Sequence, residues 1–64
     1  MLNCLIVYVH KDAGNMKDTL GRHPLTRVPE RGEEIRINDV AHTIIRVIHT
    51  PQEAYAAELH VVRS

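Results

Sequence analysis

The amino-terminal run from Leu2 to Val9 constrains the fold more than any other part of the chain. It carries no charged side chain and is rich in β-branched and apolar residues. An extended run of this composition is typical of an interior strand that is covered on both of its faces. The run ends in a polar segment, residues 10–15, where Gly14 and Asn15 favour a turn. Residues 2–9 are therefore predicted to form a central β-strand.

The length of 64 residues allows one domain, residues 1–64, with a small core. Such a core rarely supplies more than about 3–5 kcal/mol, and small domains often rely on disulfides, a metal or a partner subunit for the rest. Cys4 is the only cysteine, which excludes an internal disulfide and favours a small buried apolar role. We therefore expect self-association, with Ile44 and Val62 contributing to the interface if they face outward.

The apolar segments are too short and lack the flanking charges of a signal peptide, and none approaches the roughly 20 residues of a membrane span. Together with the lone cysteine, this predicts a cytoplasmic protein with no membrane partner.

Two extended runs in the middle of the chain predict a β-hairpin. Ile35 and Ile37 alternate with charged residues, Asn38 and Asp39 supply a turn, and residues 42–49 return as a strand rich in β-branched residues. The apolar pattern of that strand predicts either that both faces are partly covered or that a bulge near Arg46 resets the register. Residues 16–29 are predicted to be mostly a long loop, because Gly21 and Pro24 interrupt it, with a short edge strand at 25–28.

The carboxy-terminal segment, residues 51–62, fits two patterns. Thr50-Pro51-Gln52-Glu53 matches a helix capping box followed by alanines, whereas 55–62 also alternates with period two. We favour the strand, with Thr50 to Glu53 as a hairpin turn, because a closing strand would cover the exposed edge of the preceding one. The predicted fold is thus an all-β, partly open barrel of four to five antiparallel strands, and the alternative is an α+β fold with a carboxy-terminal helix.

Residues 28–49 carry a resemblance to a known group of proteins. The segment Val28-Pro29-Glu30-Arg31-Gly32-Glu33-Glu34-Ile35-Arg36-Ile37, followed by a turn and Thr43-Ile44-Ile45-Arg46-Val47-Ile48-His49, is similar to a pattern in short, mostly uncharacterised bacterial and mobile-element proteins. In these, a Pro-x-x-Gly-acidic turn introduces a strand and a hairpin partner follows. Thr43 stands where an aromatic residue is usual. The resemblance implies a small SH3-like barrel and no catalytic residue.

The residues do not form a recognisable catalytic or metal-binding motif. The histidines are scattered along the chain without the spacing of metal ligands; they are His10, His23, His42, His49 and His60. The glycines are isolated, so no phosphate-binding loop is indicated, and no Ser or Thr hydroxyl has a nucleophile signature. We therefore predict a binding or interaction module that is homo-oligomeric or binds a protein partner, with no cofactor, no metal and no enzymatic activity.

Nucleic-acid binding is the alternative function. The formal net charge is zero, so the chain lacks the overall positive field of most nucleic-acid binders. A local basic edge is nevertheless predicted as a candidate partner-binding site, with acidic residues interspersed; it comprises Arg22, Arg27, Arg31 and Arg36.

Overall fold

The computed structural model describes residues 2–14, 16–50 and 54–64, which form one curled β-sheet. Its strands are β1 (Leu2–His10), β2 (Met16–Leu25), β3 (Glu34–Ile37), β4 (Val40–His49) and β5 (Ala57–Arg63). They lie side by side in the order β2-β1-β5-β4-β3, and a short 3-10 turn, Lys11–Ala13, links β1 to β2. The predicted all-β, partly open barrel is confirmed, and β1 is an interior strand as its composition indicated.

The strand directions differ in one respect from the prediction of antiparallel strands throughout. The ladders β1–β2, β3–β4 and β4–β5 are antiparallel, whereas β1 and β5 are parallel. The reason is topological. Each of the four connections reverses the chain, so the fifth strand points the same way as the first when the two meet.

The core lies on the inner, concave face of the sheet, where alternate residues of neighbouring strands meet. Ile6 of β1 pairs with Leu59 of β5, and Ile44 of β4 pairs with Val61, and all four are at most 1% exposed. The expectation that Ile44 contributes to an outer interface is therefore wrong, because its register places it in the core. The remaining fully buried core residues are Cys4 and Ala57, with Ile37 nearly so.

Residues 16–25 form a ten-residue strand, which corrects the predicted long loop and the short strand placed at 25–28. Leu20 is an extra residue between Thr19 and Gly21, opposite the step from Ile6 to Val7, and Gly21 takes a φ of 93° there. A glycine in this conformation forms a bulge without the strain that a side chain would bring. Pro24 is compatible with the strand because β2 lies at the sheet edge, where one row of amides needs no partner.

The β3–β4 hairpin is confirmed, together with its turn. Ile37 pairs with Val40, and the two residues between them, Asn38 and Asp39, have φ values of 52° and 66°. Two positive φ values are the signature of the tight turn whose twist matches that of antiparallel strands. The predicted bulge is also present, since the β4–β5 register shifts between Ile44 and Arg46.

The carboxy-terminal segment is a strand, so the helical alternative is wrong for residues 57–63. Thr50 lies at the start of the connection: its hydroxyl donates to the Tyr55 carbonyl at 2.8 Å, and its amide donates to the Ala56 carbonyl at 3.2 Å. The predicted hairpin turn at Thr50–Glu53 falls largely on residues 51–53, outside the described residues. The longest helical segment that the structure describes spans three residues, and none crosses a membrane.

Candidate binding surfaces

The outer, convex face of the sheet carries an apolar strip across its middle strands. Leu5, Val7 and Val9 alternate with the core residues of β1 and therefore point outward. Val7 lies opposite His60 of β5, and Leu5 lies opposite Glu58. The same rows continue onto β4, where Arg46 and Ile48 are the partners of His60 and Glu58. We call Leu5, Val7, Val9, Ile48 and Val62 the outer strip.

His60 occupies the centre of this face with an unsatisfied ring nitrogen. The residue is 6% exposed, and its Nε2 has no hydrogen-bond partner. The nearest acidic atom is Glu58 Oε1 at 3.3 Å, without hydrogen-bond geometry. A buried polar atom left without a partner costs about 1–3 kcal/mol. The atom has almost no accessible surface, so it is a cost carried by the fold and not a contact offered to a partner.

The inner face opens into a cavity of about 430 Å³ at one end of the barrel. Its apolar walls come from the β2 bulge residue Leu20 and from Ile37 and Val40 of the β3–β4 hairpin. The polar side chains that face it are Tyr8, His10, Asn38, His42 and Arg63. We call this space the mouth cavity.

Three rings pack edge to face along one wall of the mouth cavity. The Tyr8 ring centroid lies 4.4 Å from that of His10 and 5.7 Å from that of His42, and both pairs are nearly perpendicular. His10 Nε2 lies 2.5 Å from Asp18 Oδ2, and His42 Nδ1 lies 2.9 Å from the Val40 carbonyl oxygen. A carbonyl only accepts, so Nδ1 of His42 must carry the proton. These bonds hold both imidazoles in fixed orientations.

The four predicted partner-binding arginines do not form one continuous edge. Arg22 is on β2 and Arg36 is on β3, which are the opposite edge strands of the sheet. Arg22 Cζ lies 5.8 Å from the centroid of the Tyr55 ring, a cation–π distance. Arg27 is held by Glu33 in the loop between β2 and β3, and Arg31 lies in the turn that follows.

A second open space of about 420 Å³ lies between that loop and β4. Arg31, Arg46 and His49 line it together with Glu30, so its charge is mixed. Its apolar lining includes Val28 and Ile45, and Ile45 is the extra residue of the β4 bulge. One bulge residue therefore lines each space, Ile45 here and Leu20 in the mouth cavity.

The histidines lie on both faces of the sheet. His10 and His42 face the mouth cavity, His60 is on the outer face, and His49 lines the loop groove. Among the residues that the structure describes, no three His, Cys, Asp or Glu side chains converge as a metal site would require. Cys4 is fully buried, and desolvation raises the pKa of its thiol, which disfavours the reactive thiolate.

The mouth cavity was not predicted from the sequence. Tyr8, His42 and Arg63 come from β1, β4 and β5, and each lies in a strand-like run where it resembles an ordinary surface or core residue. The signal that could have pointed to this site is His42, a polar residue between Val40 and Ile44 in the alternation of β4. Only the pairing of the strands brings the three together.

Comparisons with family models, curated proteins and solved structures give no match for this chain. The resemblance of residues 28–49 to the proteins with the Pro-x-x-Gly-acidic turn stays a prediction.

Proposed function

We propose that this protein is a non-catalytic interaction module that self-associates as a homodimer through its outer face. The observation that carries the proposal is the outer strip, in which Leu5, Ile48 and Val62 stay half-buried around Val7 and Val9, which are 6% and 7% exposed. Strands that are apolar on both faces are typical of sheets that have a layer on each side. A second copy would cover the part of the outer strip that stays accessible in one chain.

The outer strip is suited to a two-fold pairing. Leu5, Val7 and Val9 run along β1 and Val62 lies on the same face of β5, so a second copy related by two-fold symmetry would meet the strip with its own apolar side chains. In a symmetric dimer each contact occurs twice, because each surface meets its own copy. The net charge of zero adds no long-range repulsion between copies.

An interface of ordinary size would extend beyond the outer strip, because the strip residues are buried or half-buried. A stable dimer interface buries about 800 Å² per partner. The whole protomer exposes 4462 Å², so this would take about a fifth of its surface. Because Val7 and Val9 are already nearly buried, most of the gain would come from Leu5, Ile48 and Val62, which are half-buried.

The experiment is sedimentation equilibrium of the full chain from micromolar to millimolar concentration. We expect a monomer–dimer equilibrium that Val62→Asp shifts at least tenfold toward monomer, because a carboxylate would be desolvated inside the apolar strip. Met16→Asp is the matched control, since Met16 is 65% exposed on the edge strand β2 and lies outside the strip. Circular dichroism verifies that both variants are folded, and Leu5→Lys provides a second variant should Val62→Asp unfold.

A wild-type chain that stays monomeric at millimolar concentration would overturn the proposal. So would a dimer that Val62→Asp and Leu5→Lys leave intact while both remain folded.

A cytoplasmic location and the SH3-like class belong to the proposal as well. The single buried thiol fits a reducing compartment, and the small open barrel fits the class that the Pro-x-x-Gly turn resembles. The alternative function, nucleic-acid binding, has weaker support. Arg27 is neutralised by Glu33, and Arg22 and Arg36 stand on opposite edges. A labelled single strand that bound at low salt, and lost affinity in Arg31→Gln, would favour that alternative.

A further inference from the structure

The mouth cavity combines features that small-molecule sites share. It is an open depression in which three apolar side chains stand beside five polar ones, two of them histidines and one a tyrosine, and its volume of about 430 Å³ lies in the usual range for such sites. It lies on the inner face, opposite the proposed dimer interface. From this geometry we propose that the mouth cavity binds a small aromatic carboxylic acid.

Arg63 defines the charge of the ligand. Its side chain faces the cavity and forms no ion pair with any described residue. No acidic side chain is among the described residues that line the cavity, and Asp18, which contacts the lining residue His10, is already paired with it. A single guanidinium presents two parallel N–H donors, which match the two oxygens of a carboxylate. One uncompensated cation also suits a monoanion better than a doubly charged phosphate.

Tyr8 and His42 define the polar contacts. The Tyr8 hydroxyl forms no hydrogen bond to any described residue, so it is available to donate to a ligand oxygen. His42 uses Nδ1 to donate to Val40, which leaves Nε2 without a partner among the hydrogen bonds that the described residues form. His42 pairs with Arg63 across the β4–β5 ladder, so the imidazole and the guanidinium approach the cavity from adjacent strands.

The side chains that line the cavity indicate the chemistry of the uncharged part of the ligand. Tyr8, His10 and His42 form an edge-to-face series that offers a flat ring both faces and edges to pack on. Leu20, Ile37 and Val40 add apolar surface to the lining. A single aromatic ring is small enough for a space of about 430 Å³, and its carboxylate would lie at Arg63.

The test is a titration of the ¹⁵N-labelled full chain with phenylacetate, followed by NMR. We expect saturable shifts of the Tyr8, Val40 and His42 amides, and at least tenfold weaker binding of benzyl alcohol, which has the ring without the charge. Arg63→Gln should weaken phenylacetate binding at least tenfold. Arg36→Gln is the matched control, an exposed strand arginine that does not line the cavity, and should leave the affinity unchanged.

Tyr8→Phe keeps the ring and removes only the hydroxyl, so it should weaken phenylacetate binding severalfold. The NMR signals of residues away from the cavity should not change. The proposal is overturned if phenylacetate produces no saturable shifts, or if a folded Arg63→Gln binds it as tightly as the wild type. Repeating the titration with Val62→Asp separates the two proposals, because loss of the dimer should leave the mouth cavity intact.

Discussion

Arg27 and Glu33 close the loop between β2 and β3 through two parallel hydrogen bonds. Nη1 of Arg27 donates to Oε1 of Glu33 at 2.9 Å, and Nη2 donates to Oε2 at 2.6 Å. The amide of Glu30 also donates to Oε1 at 2.7 Å. Arg27, followed by the Glu30 amide, lowers the pKa of Glu33 from 4.5 to about 2. The loop that carries the Pro-x-x-Gly turn is therefore fastened by one carboxylate.

The lowered pKa of Glu33 predicts that the stability of the folded protein decreases in acid. Because the carboxylate is favoured in the folded state, its contribution to stability is present above pH 4.5 and is lost as the pH falls toward 2. Glu33→Gln should therefore be less stable than the wild type at pH 7, and the difference should shrink below pH 4.5. Urea unfolding at several pH values measures this difference in stability between the variant and the wild type. The effect should be small, because the pair is exposed to solvent and screened.

Glu34→Gln is the control for this experiment, since Glu34 is exposed on β3 and forms no ion pair with any described residue. Its stability difference from the wild type should not follow the same pH dependence. If the stability difference between Glu33→Gln and the wild type were as large at pH 2 as at pH 7, the lowered pKa of Glu33 would be contradicted.

The turn between β3 and β4 predicts a stabilising substitution. Asp39 has a φ of 66°, a conformation that glycine adopts without the steric cost borne by other residues. Asn-Gly is the preferred pair for a turn with two positive φ values, so Asp39→Gly should stabilise the protein by about 0.5 kcal/mol. Thermal unfolding measures the change. Asp12→Gly, in the 3-10 turn, is the control and should give no gain; equal gains would refute the turn assignment.

Ile44 is expected to be far more sensitive to truncation than its neighbour Ile45. Ile44 is 1% exposed in the core, whereas Ile45 is the half-buried bulge residue. Ile44→Val should cost about 0.5–1.5 kcal/mol, and Ile45→Val clearly less. Because the whole domain is held by a small core, Ile44→Ala would approach complete unfolding. Equal costs for the two valine variants, measured by urea unfolding, would show that the register of β4 is different.

Cys4 should resist thiol reagents in the folded protein. Its side chain is fully buried, and desolvation raises the pKa of the thiol. Labelling by a disulfide reagent at pH 8 should therefore follow the opening of the sheet and accelerate steeply with urea. The fully unfolded chain is the control for complete reaction. Rapid labelling without denaturant would place Cys4 outside the core.

Local sequence patterns predicted much of the fold, because strands and tight turns depend on the backbone geometry of a few neighbouring residues. The apolar run of β1, the alternation of Ile35 and Ile37 and the Asn38-Asp39 turn each depend on backbone geometry within a few residues. The bulge near Arg46 was also predictable, because it repairs a visible break in the alternation of apolar residues.

β2 was missed because its side chains are mostly exposed, so no apolar periodicity marks it. Its strand character comes from the free edge of β1, which supplies hydrogen-bond partners to a segment that Gly21 and Pro24 would otherwise interrupt.

The sequence alone determined that this chain forms a small sheet with an interior first strand, since only burial on both faces accommodates residues 2–9. Tertiary structure decided which residues share a surface. The parallel meeting of β1 and β5 brings Val7 beside His60, and the curl of the sheet brings Tyr8, His42 and Arg63 around one cavity. These residues are far apart along the chain, and side-chain periodicity carries no information on which strands pair.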